Sequence, residues 1–86
     1  MLNPEEFPSA IAFAIEAAGG LGAAAKACRR SYQALNKWRL TACLPRTDYT
    51  GETNYAWLLA EAAGQKGNPF EASWLLEFSA PQKAAN

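Results

Sequence analysis

The sequence predicts an all-α fold, a compact five-helix bundle without a sheet. Apolar residues recur at spacings of three and four along most of the chain, which is the period of an α-helix. No alternating β-branched run occurs, and valine, which strands favour, is absent from all 86 residues. A chain of this length forms one domain, which we place at residues 1–78.

The first two helices are predicted from their boundary residues. Asn3 and Ser9 are alternative N-caps for the first helix, and Gly19–Gly20 ends it. The second helix, residues 21–28, is rich in alanine, and such small side chains allow two helices to approach closely. It is therefore predicted to be a packing helix.

The third helix carries the most informative pattern. Ser31 is its predicted N-cap, and the helix extends over residues 31–42. Leu35, Trp38 and Ala42 are spaced by three and four residues, so they are expected to share the inward face. The opposite face is then polar and cationic.

Turn-forming residues separate the remaining elements. We expect a structured loop over residues 46–53, then a fourth helix over 53–63 that stops at Gly64. The fifth helix, residues 68–78, begins at an asparagine cap followed by proline. The tail, residues 79–86, has nothing to bury and is expected to be disordered.

Bulky apolar residues are few, so the predicted core depends on a short set of them. The set is Leu21, Leu35, Trp38, Leu40, Leu44, Tyr55, Leu58, Leu59, Trp74, Leu75 and Phe78. Cys28 and Cys43 are interpreted as small, buried, free thiols, because the chain has no histidine to complete a zinc site. No metal site and no cofactor are expected.

Charge is divided unevenly along the chain although its net value is zero. Between residues 17 and 47 there are six basic residues and no acidic one, a local charge of +6; the rest holds two basic and eight acidic residues, a charge of −6. Clustered cations are typical of phosphate binding, although a solvated basic face is the simpler alternative.

A spaced pattern covers residues 21–40. Counting from Leu21, a small residue, Ala25, is fifth, and the fourth, eighth, fifteenth and eighteenth places hold apolar residues. These four are Ala24, Cys28, Leu35 and Trp38. With Leu44–Pro45 after it, this segment resembles the helix-turn-helix of phage Cro and repressor-like regulators, including the YdaS-like group of prophage regulators. Arg29 and Arg30 depart from the pattern, because the ninth place is usually glycine and the tenth apolar.

The resemblance implies a sequence-specific regulator of transcription, a Cro-like repressor that binds double-stranded DNA. The third helix then enters the major groove, where amide side chains suit adenine. The predicted base-reading residues are Tyr32, Gln33, Asn36 and Lys37. The predicted phosphate-binding residues are Gly22, Lys26, Arg29, Arg30, Ser31, Arg39 and Arg46, with one or two of the basic side chains left open for guanine.

Proteins of this type usually bind two half-sites as homodimers. Four large apolar residues near the C-terminus are the candidate dimer interface: Phe70, Trp74, Leu75 and Phe78. The alternative is that they cover their own core. Trp57 lies off the stripe of the fourth helix, so it either closes a small cluster or faces a partner.

Other function classes are less consistent with the sequence. No catalytic residues are predicted, because there is no histidine, phosphate loop or suitably spaced carboxylate pair. The sequence contains no apolar run of the roughly 18 residues that a membrane span needs, and its first residues lack the basic region of a secretion signal. A cytoplasmic protein, associated with a bacterial nucleoid, is therefore expected. The alternative function is a helical protein-interaction module, such as an antitoxin or antirepressor, that uses Trp57 and Trp74.

Overall fold

A computed structural model describes residues 3–79 of the chain. Over this range the fold is all-helical, and six α-helices follow a 3-10 helix. The elements are the 3-10 helix Pro4–Glu6, α1 Ala10–Ala17, α2 Leu21–Cys28, α3 Tyr32–Thr41, α4 Arg46–Thr50, α5 Tyr55–Gln65 and α6 Ala72–Ser79. The helical class is as predicted, with one helix more than expected.

Both candidate caps at the start of the chain are used. The Oδ1 atom of Asn3 accepts a hydrogen bond from the amide of Glu5 at 3.1 Å, which caps the 3-10 turn. The hydroxyl of Ser9 accepts from the amide of Ala12 at 3.1 Å and caps α1. The two signals therefore belong to two separate elements, since Pro8 lies between them.

The extra helix, α4, corrects the loop predicted for residues 46–53. Its one acidic residue, Asp48, is buried and caps α5. The carboxylate accepts from the hydroxyl of Thr53 at 2.8 Å and from the amides of Tyr55 and Ala56 at 2.6 and 3.0 Å. Because these amides have no partner within their own helix, the acceptor from α4 satisfies them and α5 begins at Tyr55 rather than at residue 53.

The C-terminal boundaries also differ from the prediction. Gly64 does not stop α5, which continues to Gln65, and the chain turns at Gly67 with a φ of 85°. Asn68 does not begin a helix. Its side-chain amide nitrogen instead donates to the carbonyl of Ala17, the last residue of α1, at 3.5 Å, and α6 begins only at Ala72.

Ser79 belongs to the fold rather than to the predicted tail. It ends α6, is buried, and its carbonyl accepts a hydrogen bond from the hydroxyl of Tyr49 at 2.7 Å. That hydroxyl in turn accepts from the amide of Leu44 at 2.9 Å. The other seven residues of the predicted tail, 80–86, lie outside the described residues.

The core joins five helices, α1, α2, α3, α5 and α6. Its fully buried large apolar side chains are Ile11 and Ile15 of α1, Leu35 of α3, Leu59 of α5 and Leu75 of α6. Two residues of the predicted core, Leu40 and Phe78, are instead 71% and 61% exposed. The helix period alone explains the exposure of Leu40, because this residue lies on the opposite side of α3 from Leu35.

No single helix among residues 3–79 is long and apolar enough to cross a membrane. Helices α1 and α2 together reach the required length and composition, but the chain bends by 87° at the break between them.

Candidate nucleic-acid interface

Helices α2 and α3 pack on each other through the predicted small and apolar positions. All five of these side chains are buried: Ala24, Ala25, Cys28, Leu35 and Trp38. The alanines and the cysteine present little bulk, which allows Leu35 and Trp38 of α3 to pack against α2 and the rest of the core. The packing thus agrees with the spacing of a helix-turn-helix.

The turn between these helices is left-handed at Arg29. This residue has φ 57° and ψ 40°, and the amide of Arg30 donates to the carbonyl of Ala25 at 3.0 Å. The turn therefore has the expected glycine-type geometry without glycine. A non-glycine residue in this region costs about 1 kcal/mol, so the arginine side chain is held here against a conformational penalty.

The N-terminus of α3 forms as predicted. The hydroxyl of Ser31 accepts from the amide of Ala34 at 3.1 Å. At the other end, Ala42 does not join the inward face: it is exposed, has φ 62°, and follows the helix as its left-handed C-cap. The inward face of α3 consequently rests on Leu35 and Trp38.

The opposite side of α3 is uncovered by the rest of the described chain. Gln33 and Lys37 are exposed, Tyr32 is 56% exposed and Asn36 is half-buried. These four predicted base-reading residues form what we call the outer ridge of α3. Their side chains are polar and lie on the side of the helix away from the core, so the ridge is accessible to a partner.

Asn36 has a partner on its own helix. A guanidinium nitrogen of Arg39 donates a hydrogen bond to the Oδ1 atom of Asn36, one turn earlier. The bond orients the Asn36 amide and engages one of its acceptor sites, while its NH₂ group stays available as a donor. Arg39, predicted as a phosphate contact, therefore acts on the ridge itself.

Arg30 is oriented by aromatic rings rather than by a carboxylate. Its guanidinium carbon lies 5.9 Å from the centre of the Tyr55 ring, within the range of a cation–π interaction. That ring packs against Trp38, with ring centres 5.0 Å apart. The exposed guanidinium of Arg30 thus contacts Tyr55, which in turn packs against the buried Trp38.

The N-terminus of α2 is open, as the predicted phosphate anchor requires. Gly20 is the N-cap and supplies no side-chain acceptor, and Gly22 in the first turn is exposed. The unpaired amides of a helix N-terminus favour anions. The role of this helix end as a phosphate anchor stays a prediction.

Lys66 is a basic residue of this site that was not predicted from the sequence. A Cβ atom on Gly19 would lie 3.0 Å from its Cε atom, so the lysine passes directly over the start of α2. Lys66 and Lys26 line the same groove between α2 and α5. No sequence signal could have placed Lys66 here, because it lies 47 positions after Gly19 along the chain.

The basic side chains between residues 17 and 47 remain at the surface, whereas Asp48, the acidic residue nearest to them in sequence, is buried. All six basic side chains are exposed: Lys26, Arg29, Arg30, Lys37, Arg39 and Arg46. Asp48, two residues after Arg46, is only 4% exposed and faces the start of α5. The fold therefore keeps this carboxylate off the surface next to Arg46.

Neither cysteine contributes an obvious chemistry to this surface. Burial, with a smaller contribution from the charge of Asp48, raises the pKa of the Cys28 thiol to about 12. Cys28 is thus a neutral packing residue at ordinary pH, as predicted. Cys43 is only half-buried, which corrects the expectation that both thiols are buried.

The four candidate dimer residues do not form one surface. Leu75 is completely buried in the core of the chain itself, so it is removed from the candidate interface. Phe70 and Trp74 are half-buried in an aromatic cluster with Phe13, and only Phe78 is mainly exposed. Trp57, the aromatic residue off the α5 stripe, is 51% exposed.

Comparison with known proteins gives one finding that bears on identity. No protein family model matches the chain, and no solved structure matches it. The chain is 45% identical over 42 residues to the 8.4 kDa cro protein of Escherichia phage HK022. This match covers 49% of the chain and 55% of that relative, about half of each. The resemblance to phage Cro proteins is thereby confirmed over this half, and the YdaS-like group stays a prediction.

Proposed function

We propose that this protein is a sequence-specific, double-stranded DNA-binding regulator of transcription, a phage Cro-like repressor. One observation carries the proposal. Helix α3 is held by Leu35 and Trp38 on one side, and its opposite side is an uncovered polar ridge within a surface of exposed cations. A helix of this kind fits the major groove, where base edges are accessible and phosphates line both rims.

The ridge residues are assigned to bases. The amides of Gln33 and Asn36 each offer a donor and an acceptor, the combination that adenine presents in the major groove. The hydrogen bond from Arg39 limits the Asn36 amide to one orientation, with its NH₂ group free to donate. Tyr32 and Lys37 complete the set, at the start and the middle of α3.

The surrounding groups are assigned to the DNA backbone. The open N-terminus of α2 at Gly22 and the hydroxyl of Ser31 contact phosphate through neutral groups. The charged contacts come from Lys26, Arg29, Arg30, Arg39, Arg46 and, from its place over Gly19, Lys66. These contacts set the position of α3 on the duplex and carry little sequence information.

A dimer on two half-sites about one helical turn apart is part of the proposal. A single helix contacts only a few base pairs, so a second copy is needed for a specific operator. Phe78 is its best supported contact, because this ring is 61% exposed beside the half-buried Trp74. Phe70 and Trp74 support that surface from below, and no catalytic residue, metal or cofactor is part of the mechanism.

The test is selection of bound sequences from a random duplex pool, followed by titration of the consensus at several salt concentrations. We expect a two-fold symmetric consensus. For about six phosphate contacts, affinity should fall by about 10³-fold between 50 and 200 mM salt. Absence of binding at low salt would contradict the proposal and favour the helical protein-interaction module, to which the exposed Trp57 would be suited.

Single substitutions separate the two kinds of contact. Gln33→Ala and Asn36→Ala should each relax the preference at one or two base pairs, by about 1–3 kcal/mol. Lys26→Ala instead weakens binding to all sequences alike and lowers the salt slope, because its exposed ammonium is assigned to phosphate. Asn54→Ala is the matched control, since Asn54 is exposed and its side chain makes no capping hydrogen bond to α5. A uniform loss from Gln33→Ala and Asn36→Ala would exclude base reading by these two residues.

A further inference from the structure

Leu40 is the most exposed large apolar side chain among residues 3–79. It is 71% exposed, more than Phe78 at 61%, Tyr32 at 56% or Trp57 at 51%. Leucine has no polar atom that benefits from contact with water, and transfer of its side chain out of water is favourable by about 1.5–3 kcal/mol. The position of so exposed a leucine therefore indicates where an apolar contact is available to a partner.

Leu40 continues the outer ridge of α3. At about 100° per residue, it lies about 140° around the helix from Leu35 and about 160° from Trp38, the two core residues. Its neighbours on the helix surface, three and four residues earlier, are Lys37 and Asn36. The leucine is thus an apolar end to a ridge that is otherwise polar.

The surroundings of Leu40 select the chemistry of its partner. Lys37 and Arg39, both exposed, precede Leu40 by three residues and by one, and no acidic residue occurs between residues 17 and 47. A second copy of this surface would bring like charges together around the leucine, which disfavours a symmetric protein contact. A polyanion with an apolar group between its charges fits the same arrangement. The C5-methyl group of thymine in the major groove is such a group.

We propose that Leu40 reads a thymine by contact with its C5-methyl group. The assignment rests on the proposed function and extends it, because it adds an apolar contact to a ridge so far assigned only polar ones. Leu40 lies two helical turns beyond Gln33, about 10 Å along the axis. At about 3.4 Å per base pair, the thymine should lie within about three base pairs of the one contacted by Gln33.

The test removes the methyl group from the DNA and the leucine from the protein, separately and together. Each thymine of the selected consensus is replaced by deoxyuridine, in both half-sites, and binding is measured for the unchanged protein and for Leu40→Ala. At one thymine position, this replacement should weaken binding of the unchanged protein by about fourfold per half-site, which is the value expected for about one buried methyl group. The same replacement should leave binding of Leu40→Ala unchanged. Leu40→Met should restore part of the dependence.

The controls separate failure of this proposal from failure of the proposed function. Trp57→Ala removes an exposed apolar side chain outside α3 and should keep the full response to deoxyuridine. If no sequence is enriched from the random pool, DNA binding itself has failed. An enriched consensus in which no thymine methyl couples to Leu40 overturns the Leu40 assignment alone. A change in sedimentation of the free protein on Leu40→Ala would also overturn it, because the leucine would then belong to a protein interface.

Discussion

The helix-turn-helix unit, residues 21–42, and the aromatic end of the molecule divide their large side chains in different ways. In the first, Leu35 is fully buried and Leu40 is 71% exposed, so the inner and outer sides of α3 are sharply distinct. At the aromatic end the rings share a cluster in which Phe13 is buried and the other rings are only partly covered. The members are Phe7, Phe13, Phe70, Trp74 and Phe78, with ring centres of neighbours 5.5 to 5.9 Å apart.

This difference shows where the helix period predicts which side chains are buried. In α3 the positions three and four residues apart decide which side is inward, because one face packs on α2 and α1 while solvent covers the other. At the aromatic end, burial of each ring depends on residues far away in the sequence. Phe13 contacts Trp74 with ring centres 5.5 Å apart, in an edge-to-face arrangement that no local pattern predicts.

The largest expected effect compares core residues of the two regions. Leu35→Ala and Leu75→Ala should each lower the free energy of unfolding by about 2–5 kcal/mol, since both side chains are fully buried. Leu40→Ala is the matched control and should change it by less than about 0.5 kcal/mol. Urea unfolding measures all three. If Leu75→Ala were instead to weaken self-association and leave monomer stability intact, Leu75 would belong to the dimer surface after all.

The junction of the two regions is tested at Asp48. Asp48→Ala removes the acceptor of the amides of Tyr55 and Ala56, and unfolding should become easier by about 1–3 kcal/mol. Glu52→Ala, a nearby exposed carboxylate, serves for comparison and should have little effect. Equal stability of the two variants would mean that the Asp48 cap contributes nothing.

The left-handed turn gives a smaller effect of opposite sign. Arg29→Gly should stabilise the protein by about 0.5–1 kcal/mol, because glycine adopts a positive φ without the steric cost. Ala42→Gly, at the other left-handed position, should stabilise similarly and leaves the charge unchanged. On the proposed function, only Arg29→Gly also lowers the affinity for DNA, as anisotropy titrations would record. Loss of affinity in both variants would point to the backbone rather than to the arginine charge.

The smallest effect on stability is expected at Phe78. Because this ring is 61% exposed, Phe78→Ala should change monomer stability by less than about 0.5 kcal/mol. The proposed dimer would nevertheless be weakened, and sedimentation of the protein on its two-half-site duplex should show a larger share of single occupancy. An unchanged dimer in Phe78→Ala would move the interface elsewhere, with the exposed Trp57 as the next residue to replace.

Local signals in the sequence were sufficient for several parts of the protein. Ser9 and Ser31 cap α1 and α3 because a hydroxyl next to free amides needs no distant partner. The inward position of Leu35 and Trp38, and hence the outer ridge, follows from helix period. The segregation of charge is a property of the sequence itself, and the spacing of residues 21–38 was enough to indicate the Cro resemblance.

Only the tertiary structure decided the parts that depend on contacts across the chain. Asp48 becomes a cap for α5, Asn68 pairs with α1 rather than starting a helix, and Lys66 comes to lie over Gly19. The division of the large apolar residues of α6 into buried Leu75 and exposed Phe78 also depends on which helices pack around α6. The physical reason is range: caps and helix period act within one or two turns, whereas burial and side-chain partners depend on residues brought together by the whole fold.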